Sequence, residues 1–267
     1  MQECFLDEIF QKEWQGKDPF EAAFALEGKD FRCVKARRTL SFSLAGRNYF
    51  AKLHRGIGWR EICKDLMQFK VPVLGARNEF YAIRHLEKHN VPTMTACAYA
   101  VRGRNPARQQ SFLVTAALEN TVSLEDFCRD WSKNPPDFCL KTRLLKTLAM
   151  EISTMHRSGL NHRDCYLAHF LLHRETVDDA VPRLSVIDLH RAQIRSKVPY
   201  RFHVKDVAGI WFSAMEIGLT RHDLLRFVRC YERRRLRDVF RENGAFWRDV
   251  DHTAQKLYCK IQRKGLG

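Results

Sequence analysis

No apolar run in this 267-residue sequence approaches the roughly 20 residues needed to cross a bilayer, so any membrane contact is expected to be peripheral. Paired cysteines at Cys-x-x-Cys spacing are also missing. The nine cysteines, an odd count, point to reduced thiols in a cytosolic setting rather than to a disulfide framework. The opening MQECFLDEIF is acidic and lacks the basic and long apolar segments of a signal peptide, so none is expected. Acids are scarce beside bases: 31 Asp and Glu face 46 Lys and Arg, a net charge of +15. That excess predicts a polyanionic partner, whether nucleic acid, anionic lipid or an acidic protein. Internal repeats and low-complexity segments are absent, and 45% hydrophobic with 29% charged residues is a globular composition. The length suits one large domain or two small lobes sharing a cleft.

The first part of the chain reads as one helix followed by strands. Phe5, Leu6, Ile9, Phe10 and Trp14 fall at helical spacing over residues 2–15, a stripe suited to packing on the body of the protein or to membrane contact. FRCVKA, TLSFSL and NYFAKL then alternate with a period of two, and Ala45-Gly46-Arg47-Asn48 makes a hairpin turn. Residues 54–75 mix bases with Trp59, Ile62, Leu66, Met67 and Phe69. They predict a short amphipathic helix, either resting on an anionic surface or folded over the small lobe. Arg77–His89 predicts a helix with Phe80, Ile83 and Leu86 on one side, and SFLVTAAL (111–118) a buried strand. Ser123 is an N-cap with Asp126 three residues on. A lobe boundary is therefore expected between residues 118 and 119. Leu144, Leu145, Leu148, Ile152 and Met155 form a helical stripe that stops near Gly159 and delivers the chain into Asn161-His162-Arg163-Asp164.

That loop carries the chemistry. Asp164 on a loop, followed by Asp188 at the end of the apolar run LSVID, is the layout of phosphoryl transfer. The first aspartate would accept the proton of the attacking hydroxyl, and the second would hold magnesium, a hard cation that prefers carboxylate oxygen. Lys52, near the end of the third strand, would neutralise phosphate charge, with Glu79 as its ion-pair partner and Glu61 as the alternative. Asp206 would brace the catalytic loop from beneath or serve as a simple helix N-terminal acid. The triple Arg233-Arg234-Arg235 with Arg237 reads as a solvated helix face.

Three further absences shape the expectation. No Gly-x-Gly-x-x-Gly covers the phosphates, and the first hairpin offers Lys35-Ala36-Arg37-Arg38-Thr39 instead, whose Arg37 and Arg38 guanidiniums would act as cations there. The residue five after Asp164 is His169 rather than the asparagine that would hold a second metal, and imidazole is a poor magnesium ligand. No Ala-Pro-Glu follows Asp188, which excludes the usual phosphorylated activation loop. A competing zinc reading of His162, Cys165, His169 and His173 matches no common zinc spacing.

NHRDCYLAHFLLH, SVIDLHRAQIRSKVP, KDVAGIWFSAMEIGLTRHDLLRF, LSFSLAGRNYFAKLHRG and VPVLGARNEFYAI together resemble the bacterial lipopolysaccharide core heptose(I) kinase family, from about Trp14 to about Tyr231. The resemblance implies an α+β, two-lobed protein-kinase-like fold. Residues 1–118 would form a small antiparallel-sheet N-lobe and 119–267 a mainly helical C-lobe. It implies ATP-dependent phosphorylation of the first heptose of the inner core, with ATP and magnesium (Mg2+) as cofactors. Asp164, His162 and Arg163 would then form the catalytic loop, Lys52, Glu79, His169, Arg37 and Arg38 would serve the nucleotide, and Asp188 the metal. The expected partners are the core glycolipid acceptor, the anionic cytoplasmic face of the inner membrane and an acidic protein, and no nucleic acid. A protein kinase acting on Tyr or Ser, or a catalytically inactive basic binding module, is the alternative.

Overall fold

Glu3–Leu6 forms an edge strand, β1, where the apolar spacing predicts the first turn of a helix. The correction has a tertiary cause: β5 (Ala96–Arg102) offers an open edge, and β1 pairs with it antiparallel, Phe5 opposite Tyr99. Asp7 then caps α1 (Glu8–Glu13) by accepting from the Phe10 amide. Phe10 and Trp14 go into the core, so the stripe packs inward. The computed structural model describes residues 3–34, 36–67, 75–263 and 265.

α2 (Pro19–Phe24) follows, capped by Asp18. Next come β2 (Lys29–Val34), β3 (Arg37–Leu44) and β4 (Arg47–His54). Ala45 and Gly46 take φ of 47° and 74°, the paired left-handed values of a tight hairpin turn, and this fixes the β3–β4 register from Leu44↔Arg47 to Arg37↔His54. With β6 (Gln110–Ala116) the strands make a six-stranded antiparallel sheet in the order β1-β5-β6-β4-β3-β2. Alternate residues Leu40 and Phe42, Tyr49, Ala51 and Leu53, and Phe112 and Val114 share one face, covered by Phe10, Trp14, Phe20 and Ala23. α3 (Gly58–Met67) buries Ile62 and leaves Trp59, Leu66 and Met67 exposed. Phe69 and Lys70 lie outside the described residues. α4 (Arg77–Lys88) comes next, with Phe80, Ile83 and Leu86 buried.

The chain divides into two compact units, one running to Arg84 with Met94–Leu118 and the other comprising His85–Thr93 and Glu119 onward. In the second unit Ser123 ends β7 (Thr121–Ser123) and caps α5 (Leu124–Phe127). α6 (Phe138–Arg157), capped by Asp137, buries the Leu144, Leu145, Leu148, Ile152 and Met155 stripe. Short strands follow: β8 (Leu160–Asn161), β9 (Phe170–His173), β10 (Leu184–Val186) and β11 (Gln193–Ile194), paired as β10-β9-β7 and β11-β8. α7 (Tyr200–Ser213), α8 (Arg221–Glu232) and α9 (Leu236–Gln262) complete it, α8 opening with a Thr220–Asp223 capping box. Arg233 sits at φ 55° as the C-cap of α8, so Arg233-Arg234-Arg235 forms the turn between two helices rather than a helix face. An apolar cavity of about 340 Å³ lies within this unit, lined by Leu144, Leu148, Trp211, Phe227, Trp247 and Val250 among others.

Candidate active site

Gly159 ends α6 at φ 89°, and a Cβ there would come within 1.9 Å of the Arg195 carbonyl, so only glycine turns the chain here. β8 then pairs Asn161 with Gln193 and releases the chain as His162-Arg163-Asp164. Arg163 takes φ 73°, a left-handed conformation that a non-glycine residue keeps only when its surroundings hold it. Asp206 supplies the hold. Its Oδ2 accepts from the His162 amide at 2.6 Å and its Oδ1 from the Arg163 amide at 2.9 Å. Asp206 lies well inside α7 and is 1% exposed, so of the two roles open to it the brace is the one it fills.

Behind Asp206 runs a buried chain of hydrogen bonds. His156 Nε2 lies 3.4 Å from Asp206 Oδ2, and a carboxylate only accepts, so that nitrogen carries the proton. His156 Nδ1 is then the acceptor for the Tyr231 hydroxyl at 2.8 Å, and the Tyr231 oxygen in turn accepts from His203 Nε2. Burial pushes the Tyr231 hydroxyl well above its ordinary pKa and lowers His203 to about 3, so both of these groups stay neutral.

His162 joins two loops. Its Nε2 donates to the Ile187 carbonyl at 2.9 Å, and its Nδ1 accepts from the Asp164 amide at 3.3 Å. Burial lowers its pKa, consistent with that neutral tautomer. Asp188, the next residue after Ile187, adopts φ 60°. Its Oδ1 accepts from His190 Nδ1 at 2.8 Å and its Oδ2 lies 3.7 Å from His169 Nε2. His169 donates from Nδ1 to the Asp164 carbonyl at 2.7 Å, and its ring stacks on His162. The side chain of Asp188 is 34% exposed, and one accessible carboxylate fits magnesium, which takes one or two carboxylates with water and phosphate oxygens. Asp164 meets Arg191, whose Nη1 donates to both carboxylate oxygens at 2.8 and 3.1 Å. Arg191 stands in the segment SVIDLHRAQIRSKVP without a site role in the sequence reading, and the turn after Asp188 carries it to Asp164.

In the first unit Lys52 Nζ lies 2.7 Å from Glu79 Oε1, with the Glu79 side chain 2% exposed. Glu61, the alternative, lies 3.7 Å from Lys64 on α3. Arg38 donates to Asp30 at 2.8 Å and to the Leu26 carbonyl at 3.0 Å, anchoring it to its own hairpin. Arg37 stands opposite His54 at the end of β3, and Lys35 lies outside the described residues.

The zinc reading finds no support. Cys165 is fully buried with its thiol pushed up by burial, and His173 Nε2 is engaged with Ser185 at 2.8 Å. Among the described residues no group of three or more His, Cys, Asp or Glu is arranged to hold a metal.

The sequence pattern of the lipopolysaccharide kinase (Kdo/WaaP) family matches residues 21–231. A protein of Pseudomonas aeruginosa (strain PAO1) named lipopolysaccharide core heptose(I) kinase WaaP is 52% identical over 263 residues, 97% of this chain and 97% of that protein. An Escherichia coli protein of the same name is 44% identical over 262 residues, 98% of this chain and 99% of its own length. A solved structure of WaaP in complex with acyl carrier protein superposes with a TM-score of 0.84 at 47% identity, covering 96% of this chain and 99% of that one. The α+β, protein-kinase-like fold expected from the sequence is the fold of this chain.

Proposed function

This chain belongs to the lipopolysaccharide kinase (Kdo/WaaP) family, and from that premise we propose that it phosphorylates the first heptose of the lipopolysaccharide inner core, using ATP and magnesium. The observation that carries the reading is the His162 ring, which ties the amide of Asp164 to the loop of Asp188. Phosphoryl transfer asks for placement and charge compensation rather than covalent chemistry, and two aspartates on one rigid support meet that demand.

Asp164 takes the proton of the heptose hydroxyl, while His162 and Arg163 hold the backbone that presents it. Asp188 holds magnesium, which when bound neutralises the phosphate oxygens. Lys52, fixed by Glu79, compensates nucleotide charge. Arg37 and Arg38 stand where a glycine-rich loop would present amides, Arg38 anchored by Asp30. His169 fixes the Asp164 carbonyl and stays off the metal, since imidazole suits magnesium poorly.

An acidic acyl carrier protein is the partner we propose for the basic surface, supported by the charge of +15 and by the relative solved in complex with one. The apolar cavity of the second unit has the chemistry to receive the chain that such a carrier presents. The acceptor is a membrane glycolipid, and no described helix is long and apolar enough to span a membrane. The seat we propose is therefore peripheral, on the cytoplasmic face of the inner membrane. Transfer of labelled phosphate from ATP to core glycolipid lacking that phosphate tests the proposal, with Asp164→Ala as control and a Tyr- and Ser-containing peptide as rival acceptor. Labelled glycolipid is expected. Labelled peptide with unlabelled glycolipid would select the protein-kinase alternative.

A further inference from the structure

The proposed base is held by a cation from another loop. Apart from Arg163, the catalytic loop brings none: the residues after Asp164 are Cys165, Tyr166, Leu167, Ala168 and His169. Arg191 reaches across from the helical turn that follows Asp188, and its Nη1 caps both oxygens of Asp164. The Asp164 side chain is 19% exposed and that of Arg191 33%, so the pair is partly withdrawn from water without being sealed.

The other groups near the base do not duplicate this contact. Asp206 spends its carboxylate on the amides of His162 and Arg163, and His169 meets the Asp164 carbonyl rather than its carboxylate. The Tyr166 hydroxyl is pushed up by burial and by Asp164, so it stays neutral. The Cys165 thiol is neutral for the same reasons. Arg163 acts on Asp164 at longer range, with its own charge disfavoured by burial and by the nearby Arg191 and Arg195.

We propose that Arg191 is the positioning residue of the phosphoryl-transfer base, holding the Asp164 carboxylate aimed at the acceptor hydroxyl. This rests on the assignment of Asp164 above. As the acceptor oxygen bonds to the γ-phosphorus, the bond from phosphorus to the ADP oxygen breaks and the hydroxyl proton passes to an Asp164 oxygen. A carboxylate free to rotate would meet that hydroxyl in many poses, and misplacement of about 1 Å costs on the order of 10²-fold in rate. Because Arg191 lies three residues beyond Asp188, the same turn that presents the metal ligand also sets the base.

The test compares Arg191→Gln and Arg191→Lys in the full chain, with ATP, magnesium and core glycolipid. Arg191→Gln is expected to lower kcat about 10²-fold and to leave the KM for ATP within about twofold. Arg191→Lys should recover part of the lost turnover, which a merely structural role would not do. In an Asp164→Asn background, Arg191→Gln should add no further loss, because both changes remove one function. A near-normal kcat in Arg191→Gln overturns the proposal, as does a change confined to the acceptor KM. If Asp164→Asn itself keeps its turnover, the base assignment has failed rather than the role of Arg191.

Discussion

His162 Nε2 lies 2.9 Å from the Ile187 carbonyl, so one imidazole carries the position of the backbone before Asp188 to the loop of Asp164. The other face of the link is the Asp164 amide at 3.3 Å. Replacing His162 by Phe keeps the ring and deletes both bonds. Each buried backbone group left unpaired costs about 1–3 kcal/mol. Thermal unfolding should therefore fall by several degrees, and turnover should drop with it. A His162→Phe protein with unchanged turnover would show that the two loops hold their places independently.

Asp206 and Asp164 separate support from chemistry. Asp164→Ala is expected to keep the fold and nucleotide binding while losing roughly 10²-fold or more in turnover, the scale of a removed general base. Asp206→Ala strands the His162 and Arg163 amides in a site where the parent aspartate is 1% exposed. It should lose about 2 kcal/mol or more of stability as well as activity. Equal thermal stability of the two variants would contradict the brace.

Magnesium gives a third contrast. Asp188→Asn replaces a charged oxygen donor by a neutral one, so the magnesium concentration for half-maximal rate should rise. The ATP affinity measured by calorimetry without magnesium should change little. An unchanged magnesium profile would move the principal ligand elsewhere.

Much of this was legible in the sequence because local physics wrote it there. Alternation laid out β2, β3 and β4, and an apolar run laid out β6. The 3.6-residue stripe set α6, Gly159 marks its end, and Ser123 marks the start of α5. What escaped depends on contacts distant in sequence. β1 exists because β5 has an edge to fill, and no pattern within residues 3–6 announces it. Arg191 reaches Asp164 only through the left-handed backbone at Asp188. The His156–Tyr231–His203 chain joins α6, α8 and α7, and its members look like ordinary core and surface residues one at a time. His85–Thr93 belongs to the second unit although it precedes the last strands of the first, a division that hydropathy does not mark.

Four buried or half-buried histidines make stability depend on pH in one direction. His85, His162, His173 and His203 all have pKa values lowered by burial, His203 to about 3. Their unfolded value is about 6.5, so between the two values the unfolded chain binds more protons than the folded one. Their contribution is complete above about pH 6.5 and declines as pH falls toward the folded values. The melting temperature should therefore drop between pH 7 and pH 5. His203→Gln should flatten that slope, and a slope unaltered by the variant would place the acid sensitivity in other groups.

α3 offers the last prediction, which concerns how the protein meets a bilayer. Its sequence GWREICKDLM carries as many acids as bases, and Lys64 lies 3.7 Å from Glu61. Electrostatic attraction by this helix is therefore slight. Beside the buried Ile62, three of its apolar side chains are exposed: Trp59 and Leu66 at 57% and Met67 at 76%. An interfacial helix binds through buried apolar area plus charge, and full burial of a Leu or Met side chain is worth about 1.5–3 kcal/mol. Trp59→Ser with Leu66→Ser should thus lower partitioning onto vesicles by roughly 10²-fold, with an effect that persists at high salt. The salt-sensitive part of binding should come from bases elsewhere, because surface charges are screened beyond about 3 Å at 1 M salt. Arg60→Gln with Lys64→Gln should therefore leave vesicle binding nearly unchanged at low salt. If that pair of changes abolishes binding while the serine variants still bind, α3 acts as a cationic patch and the apolar seat is wrong.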